Sequence, residues 1–238
     1  MAAGPLECDR ESTSLLCLVD GPADLFLQTR NYTEQSKFAS RLCIQRKPDG
    51  RPRFDLRARR IRIASLHNDM RERIPSDCDY VFSVEDDGVV RLDALKRLLN
   101  VYMMYPFAGL VSGVEIGRHG FAHLGLWSVD DVYEPTTITS LMPGEGVQEI
   151  DASGMYCVLT RRNNFVNHEF RPFGDNDLGP DTQWGLALRQ QGYQNYVDFG
   201  VWVEHRLPDG RVLTRANTTV QQVRLTKEAN GWRQEVVN

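Results

Sequence analysis

Three consecutive acids, Glu85, Asp86 and Asp87, follow directly on the apolar run Tyr80-Val81-Phe82-Ser83-Val84. Carboxylates so close together are costly to hold unless a cation or several donors face them. Their ligating atoms are all oxygens, so the fitting ion is a hard divalent one, Mg2+ or Mn2+, and such an ion carries phosphate well. An acidic surface turn would show the same residues. A further carboxylate, Asp20, ends Ser14-Leu15-Leu16-Cys17-Leu18-Val19 and precedes Gly21-Pro22. It suits a contact to a nucleotide base or ribose, and equally an N-cap for a helix beginning near Ala23. Six arginines, Arg51, Arg53, Arg57, Arg59, Arg60 and Arg62, crowd into residues 51–62. Guanidinium forks match phosphate oxygens, and they also suit a solvated helix face. Asn68 sits inside the following helical pattern, where its propensity is poor, which hints at a task.

The elements that must position these residues read as an alternation of strands and helices. Tyr80–Val84 is β-branched and aromatic, as a buried strand requires, and Gly88 follows its acids. In an open α/β sheet, ligands bind beyond the carboxyl ends of the strands. Further strands are predicted at Ser14–Val19, Leu42–Gln45, Gly109–Ile116, Met155–Thr160 and Val197–Glu204, the last closing on His205. Helices are predicted over residues 23–41, Leu56–Ile74 (Ile63, Leu66, Met70 and Ile74 on one face), Leu92–Tyr105 and Thr182–Gln191, with Gly192 as a C-terminal stop. Residues 117–147, with His119, His123 and Trp127, read as a long loop of the kind that forms a lid or binding segment. Val220–Val237 reads as a hairpin about Asn230-Gly231. Residues 1–11 are mixed and polar and are expected to be poorly ordered. No repeat or linker divides the chain. The expectation is one α/β, Rossmann-like domain with a mixed central sheet and helices on both faces, its parallel strands early.

The 238 residues carry a net charge of −4, which leaves no global basic field for nucleic acid, only a local patch. Five cysteines, an odd number with no CxxC spacing, suit neither a zinc ribbon nor a disulfide framework. A reducing, cytoplasmic setting fits them. No early run is long or apolar enough for a signal peptide or anchor, so no membrane partner is expected and the sequons at Asn31 and Asn217 carry no weight.

Three blocks occur in order: Arg62-Ile63-Ala64-Ser65-Leu66-His67-Asn68; Val81-Phe82-Ser83-Val84-Glu85-Asp86-Asp87; and Gly179-Pro180-Asp181-Thr182-Gln183-Trp184 with Gly192-Tyr193 and Val201-Trp202-Val203-Glu204-His205. Together, over residues 57–205, they resemble the GT-A class of nucleotide-sugar glycosyltransferases, in a pattern like that of cryptococcal-type mannosyltransferases. The resemblance implies a single GT-A-like domain. Residues 12–115 would mainly bind the nucleotide sugar, residues 116–215 would carry the acceptor side and catalysis, and residues 216–238 would form a C-terminal hairpin. It implies Mn2+ or Mg2+ held by Asp87 and His205. It implies a UDP- or GDP-hexose donor bound through Arg62, Asn68, Glu85, Asp86 and Gly154, to which the strand-end reading of Asp20 adds a nucleotide contact. Asp181 would remove the acceptor hydroxyl's proton or position the acceptor; as a plain structural residue it would complement the helix dipole. Gly154 would let backbone approach the donor sugar, or serve a tight turn. The sequence departs from the pattern where His67 replaces the usual Arg before Asn68. It departs again where Glu-Asp-Asp replaces Asp-x-Asp, which leaves Asp86 and Asp87 both open as direct ligands.

The acceptor is left among a small molecule, a glycan and a hydroxymethylpyrimidine in DNA, as some phage enzymes of similar type use. Inversion and retention are both compatible with Asp181. Two other functions are compatible with parts of the chain. A metal-dependent nucleotidyltransferase or phosphoesterase would also gather acids about Mg2+. A non-enzymatic, Arg-rich nucleic-acid-binding module would explain the arginines but neither the acids nor His205, and would show steep salt dependence.

Overall fold

The computed structural model describes residues 13–19, 40–45, 56–85, 87–91, 93–117, 122–172, 178–207 and 210–237, the first two segments by their backbone. Asp20, Asp86, Arg51, Arg53, His119 and the helix expected from residue 23 up to residue 39 lie outside them.

The described chain opens with strands β1 (Thr13–Val19) and β2 (Ser40–Gln45), helix α1 (Leu56–Arg71), β3 (Tyr80–Glu85) and the two-residue β4 (Gly88–Val89). Helix α2 (Ala94–Met104) leads to β5 (Ala108–Val114). A run of short strands follows: β6 (Ile116–Gly117), β7 (His123–Leu124), β8 (Leu126–Val129), β9 (Thr137–Ser140), β10 (Val147–Ile150) and β11 (Ala152–Ser153). Then come β12 (Cys157–Arg161), α3 (Arg162–Asn167), α4 (Pro180–Gln190), β13 (Gln194–Trp202), β14 (Glu204–Arg206), β15 (Val212–Leu213), β16 (Gln222–Glu228) and β17 (Gly231–Val237).

Among the described residues, seven strands form the central sheet in the order β10-β13-β5-β12-β3-β1-β2. β1 runs parallel to β2 and to β3, and β13 runs parallel to β5. β12 lies antiparallel between β3 and β5. Because β12 opposes both neighbours, β3, β5 and β13 share one direction, and their carboxyl ends lie along one edge of the sheet. The expectation of a mixed sheet with its parallel strands early holds.

Period-2 alternation decides which side chains meet which helices. Val81, Leu110, Val114, Val158, Val197 and Phe199 pack with α1 (Ala64, Leu66, Met70), Phe165 of α3, and Trp184 and Leu188 of α4. Phe82, Val84, Val111, Leu159, Tyr196 and Val201 pack with α2 through Ala94, Leu95, Leu98, Val101 and Tyr102. Helices therefore cover both faces. The strands between them are buried on both sides, which is why β3 and β5 read as continuous apolar runs.

The stretch 117–147, expected as a loop, instead contributes to several short strands. β8 and β9 join β11 and the β16–β17 hairpin in a second, five-stranded sheet of order β11-β8-β9-β16-β17. The C-terminal hairpin turns at Ala229-Asn230, with Gly231 at φ 125°, as the Asn-Gly pair suggested. Gly192, at φ 88° just beyond the end of α4, adopts the left-handed conformation that a helix stop favours.

Candidate metal and catalytic site

The shared edge of the sheet assembles the site. Asp87 follows β3, Glu115 follows β5, and His205 follows β13, so three parallel strands each deliver one polar group just past a carboxyl end. β4 pairs antiparallel with β14, which sets Gly88 opposite His205 and Val89 opposite Glu204. Arg206 N donates to the Asp87 carbonyl at 2.7 Å and completes this small clasp. A Cβ at Gly88 would lie 3.0 Å from Val203 Cγ1, so the turn after the acids has little room for a side chain.

Asp87, Glu115 and His205 offer ligand atoms that all lie within 4.8 Å of one another. Glu115 and His205 are buried, at 5% and 6% exposure. His205 Nδ1 lies 2.9 Å from the Ile116 carbonyl oxygen, which can only accept, so Nδ1 carries a proton there. Glu115 Oε1 is 3.3 Å from the same nitrogen. Nε2 then faces Asp87 Oδ2 at 3.2 Å. With a neutral imidazole those two atoms are both acceptors. A cation shared between them would satisfy both. A backbone carbonyl that fixes the tautomer and turns the other nitrogen outward is the usual support of a ligating imidazole. Two carboxylates and one imidazole suit a hard or borderline divalent ion. The residues present therefore fit Mn2+ or Mg2+.

The amino end of the antiparallel β12 reaches the same edge, where Cys157 pairs with Val84. It brings Gly154 and Tyr156 with it. Gly154 N donates to the Gly125 carbonyl at 2.9 Å, and Gly125 N donates to the Glu115 carbonyl at 3.2 Å. The space a Cβ would take at Gly154 is filled by the Tyr156 ring, with Cδ1 at 2.7 Å, and Asp181 Oδ2 is 3.6 Å away. Packing thus already demands a glycine there.

Asp181 is the second residue of α4 and accepts from Thr182 N at 2.9 Å. A carboxylate in this first turn complements the helix dipole. Although half-exposed as a residue, it is crowded enough that burial raises its carboxyl pKa above the ordinary value, against the opposing pull of Thr182 N–H and of Arg59 and Arg60 on α1. A carboxyl raised in this way is better matched to taking a proton near neutrality.

Among the residues singled out from sequence, Asp87 and His205 meet, and Gly154 and Asp181 meet. Glu85 ends β3, and its N–H donates to the Tyr156 carbonyl at 3.3 Å. Arg62 is half-buried on α1. Asn68 Nδ2 donates to the Phe170 carbonyl at 2.9 Å, and Phe170 N–H and Arg71 Nη1 donate to its Oδ1, each at 3.0 Å. Its amide thereby ties α1 to the segment after α3. His67 stacks on Phe170 at 4.5 Å between centroids, and burial lowers its pKa to about 3, so it is neutral. The unusual histidine is a core residue. Sequence reasoning passed over Glu115 and Tyr156. The available signal for Glu115 was the one used for Asp87, an acid just past a buried apolar strand.

No protein-family model matches the chain, and no curated protein matches it. Among solved structures it is similar to A197 from STIV, at 13% identity and a TM-score of 0.53, over 87% of this chain and 95% of that one. At that identity the likeness concerns the fold. It is also similar to GalNAc-T7, solved with UDP, GalNAc and Mn2+, at 9% identity and a TM-score of 0.45, over 82% of this chain and 43% of that one. The class that fold and site define is a mixed-sheet α/β protein with an acid–imidazole cluster at its strand ends. Among the described residues, no helix is long and apolar enough to cross a membrane.

Proposed function

We propose that the protein is a metal-dependent GT-A-type glycosyltransferase that moves a hexose from a UDP- or GDP-sugar to an acceptor hydroxyl. The observation that carries this reading is the convergence of Asp87, Glu115 and His205 within 4.8 Å at the carboxyl edge of the sheet. A bound Mn2+ or Mg2+ supplies Lewis-acid stabilisation of the charge that builds on a leaving diphosphate. Asp87, Glu115 and His205 hold the ion. Glu85 and Asp86, with Asp20 and Arg62, bind the nucleotide and sugar of the donor, and Gly154 lies against the sugar; Asn68, whose amide is engaged by Phe170 and Arg71, serves by fixing α1. Asp181 takes the acceptor hydroxyl's proton or holds the hydroxyl in line. Its neighbourhood to Gly154 supports that placement, because a Cβ there would come within 3.6 Å of its carboxylate. The setting consistent with the cysteines is the cytoplasm.

The test is titration calorimetry of Mn2+, then of UDP- and GDP-hexoses with Mn2+ present. Wild type should bind Mn2+ and should bind at least one sugar nucleotide more tightly with the ion than without it. Glu115→Gln and His205→Ala should each weaken Mn2+ binding by more than about tenfold, the least that losing even a hydrogen-bond partner of a ligand costs, while thermal unfolding stays cooperative. Wild-type affinity in both variants would remove the metal site. Turnover of nucleoside triphosphates or phosphodiesters without sugar transfer would favour the nucleotidyltransferase or phosphoesterase reading instead.

A further inference from the structure

Tyr156 is buried, and it touches both halves of the site. Through its backbone it belongs to the metal side: its carbonyl accepts from Glu85 N–H at 3.3 Å, where β3 delivers the acids. Through its ring it belongs to the other side. The positions a Cβ would occupy on Gly125 and on Gly154 both lie 2.7 Å from ring carbons of Tyr156, closer than real Cβ atoms come. Its hydroxyl donates to the Gly125 carbonyl at 3.3 Å, the same oxygen that accepts from Gly154 N–H at 2.9 Å. Two glycines on separate strand ends are thus pressed against one aromatic face, and one of them abuts Asp181. Burial first, and the nearby Glu115 charge second, hold the phenol pKa well above the ordinary value, so the hydroxyl stays a donor.

Resting on the transferase reading above, we propose that Tyr156 is a positioning residue whose ring fixes the separation between the Asp87–Glu115–His205 cluster and the Gly154–Asp181 pair. The ring is the spacer and the hydroxyl is secondary. Removing the ring lets Gly125 and Gly154 collapse into its volume. The metal ligands remain, but the sugar-side backbone and Asp181 shift relative to them. Misplacement of about an ångström costs about a hundredfold in rate, so turnover suffers before metal affinity does.

Mn2+ added to isotopically labelled protein broadens amide resonances according to their distance from the ion, which reads this separation without any turnover. In wild type the Gly154 and Asp181 amides should broaden on Mn2+ addition. Tyr156→Phe should keep that pattern, and Tyr156→Leu should change it while Mn2+ still binds by calorimetry. Should Tyr156→Leu fail to fold, Gly154→Ala tests the same contact by driving a methyl group into the ring, and it should shift the same two amides. The pair should also be coupled, with Gly154→Ala less harmful in a Tyr156→Leu background than alone. With a competent sugar nucleotide, kcat should fall about tenfold or more in Tyr156→Leu and remain near wild type in Tyr156→Phe. Mn2+ binding with an unchanged broadening pattern in both Tyr156→Leu and Gly154→Ala would overturn this inference alone. Absence of Mn2+ binding in wild type would overturn the metal reading, and this inference with it.

Discussion

The carboxylate of Asp181 sits where burial outweighs two arginines. Its folded-state pKa lies above the ordinary carboxylate value, with burial the largest cause. The sign follows from linkage. A folded-state pKa above the unfolded one gives stability that is fully present below the unfolded value and is lost as pH rises through the folded value. Wild type therefore bears a growing cost for this carboxylate as pH climbs past about 4. Asp181→Asn removes the titration, so the difference in Tm between variant and wild type should move in the variant's favour between pH 3 and pH 7. Transfer should nevertheless fall far more than donor binding does, because a base or acceptor-positioning group acts mainly in the transition state. Unchanged kcat with only a stability difference would leave Asp181 as a helix-dipole partner. Asp181 was legible in the sequence because it opens a helix after Gly179-Pro180. Asp87 and His205 were legible because each follows an apolar strand within a recognisable ordered block. Glu115 was not. A single acid past an apolar run carries no spacing of its own, and only the shared direction of β3, β5 and β13 brings it to Asp87.

At the scale of elements, α4 must be held against β11 for Asp181 to lie over Gly154. Asn195, fully buried, donates from Nδ2 to the Asp151 carbonyl at 2.7 Å and to the Gly185 carbonyl at 2.9 Å. Arg189, one face along α4, bonds Asp151 Oδ1 at 3.1 Å and Glu149 Oε1 at 2.7 Å. Gly185 is the contact point itself. A Cβ there would lie 2.9 Å from Ala152 Cβ and 3.0 Å from its Cα. Gly185→Ala sets two effects against each other. Alanine gains about 1 kcal/mol over glycine inside a helix. Overpacking costs about 1–3 kcal/mol, and here the neighbours are a backbone atom and a methyl that cannot swing aside. The clash should win, with a net loss of up to about 2 kcal/mol in urea unfolding. Ala152→Gly in the same chain should recover part of that stability, since it removes the methyl 2.9 Å from the new Cβ. A stabilised Gly185→Ala with normal transfer would show that α4 is free to ride higher. Of the central strands, β3, β5, β12 and β13 were legible to within a few residues because burial writes apolar runs, whereas the edge strand β10, with two exposed residues of four, was not read as a strand. The short strands between residues 117 and 147 were not. Each spans two to four residues, too few to show alternation, and their partners are other short strands or distant ones: β7 pairs with β6, β8 with β9 and β11, and β9 with β16 of the C-terminal hairpin.

At the scale of the whole molecule, charge bears on the acceptor. The chain's net charge is −4. Several described arginines on its surfaces already face acids: Arg97 pairs with Asp198, Arg224 with Glu235, and Arg233 with Glu228. Of the arginine stretch at 51–62 that could meet DNA phosphates, Arg51 and Arg53 lie outside the described residues. A DNA acceptor would have to be held by phosphate contacts, and a base inside a duplex would first have to leave the stack. Each such contact makes affinity fall with salt, so that about three of them would cost roughly 40-fold between 50 and 200 mM salt. A small-molecule or glycan acceptor has no such dependence. We therefore expect kcat/KM for the true acceptor, at saturating sugar nucleotide and Mn2+, to change by less than about threefold over that range, since the residual effect is ordinary screening. The companion measurement incubates the protein with each sugar nucleotide, Mn2+ and hydroxymethylpyrimidine DNA, digests the DNA and weighs the nucleosides. Transfer to a free sugar or glycan with no hexose-shifted nucleoside is the expected result. A hexose-shifted nucleoside that disappears in Arg51→Glu/Arg53→Glu, at unchanged donor affinity and with a steep salt dependence, would overturn it and assign the acceptor to DNA.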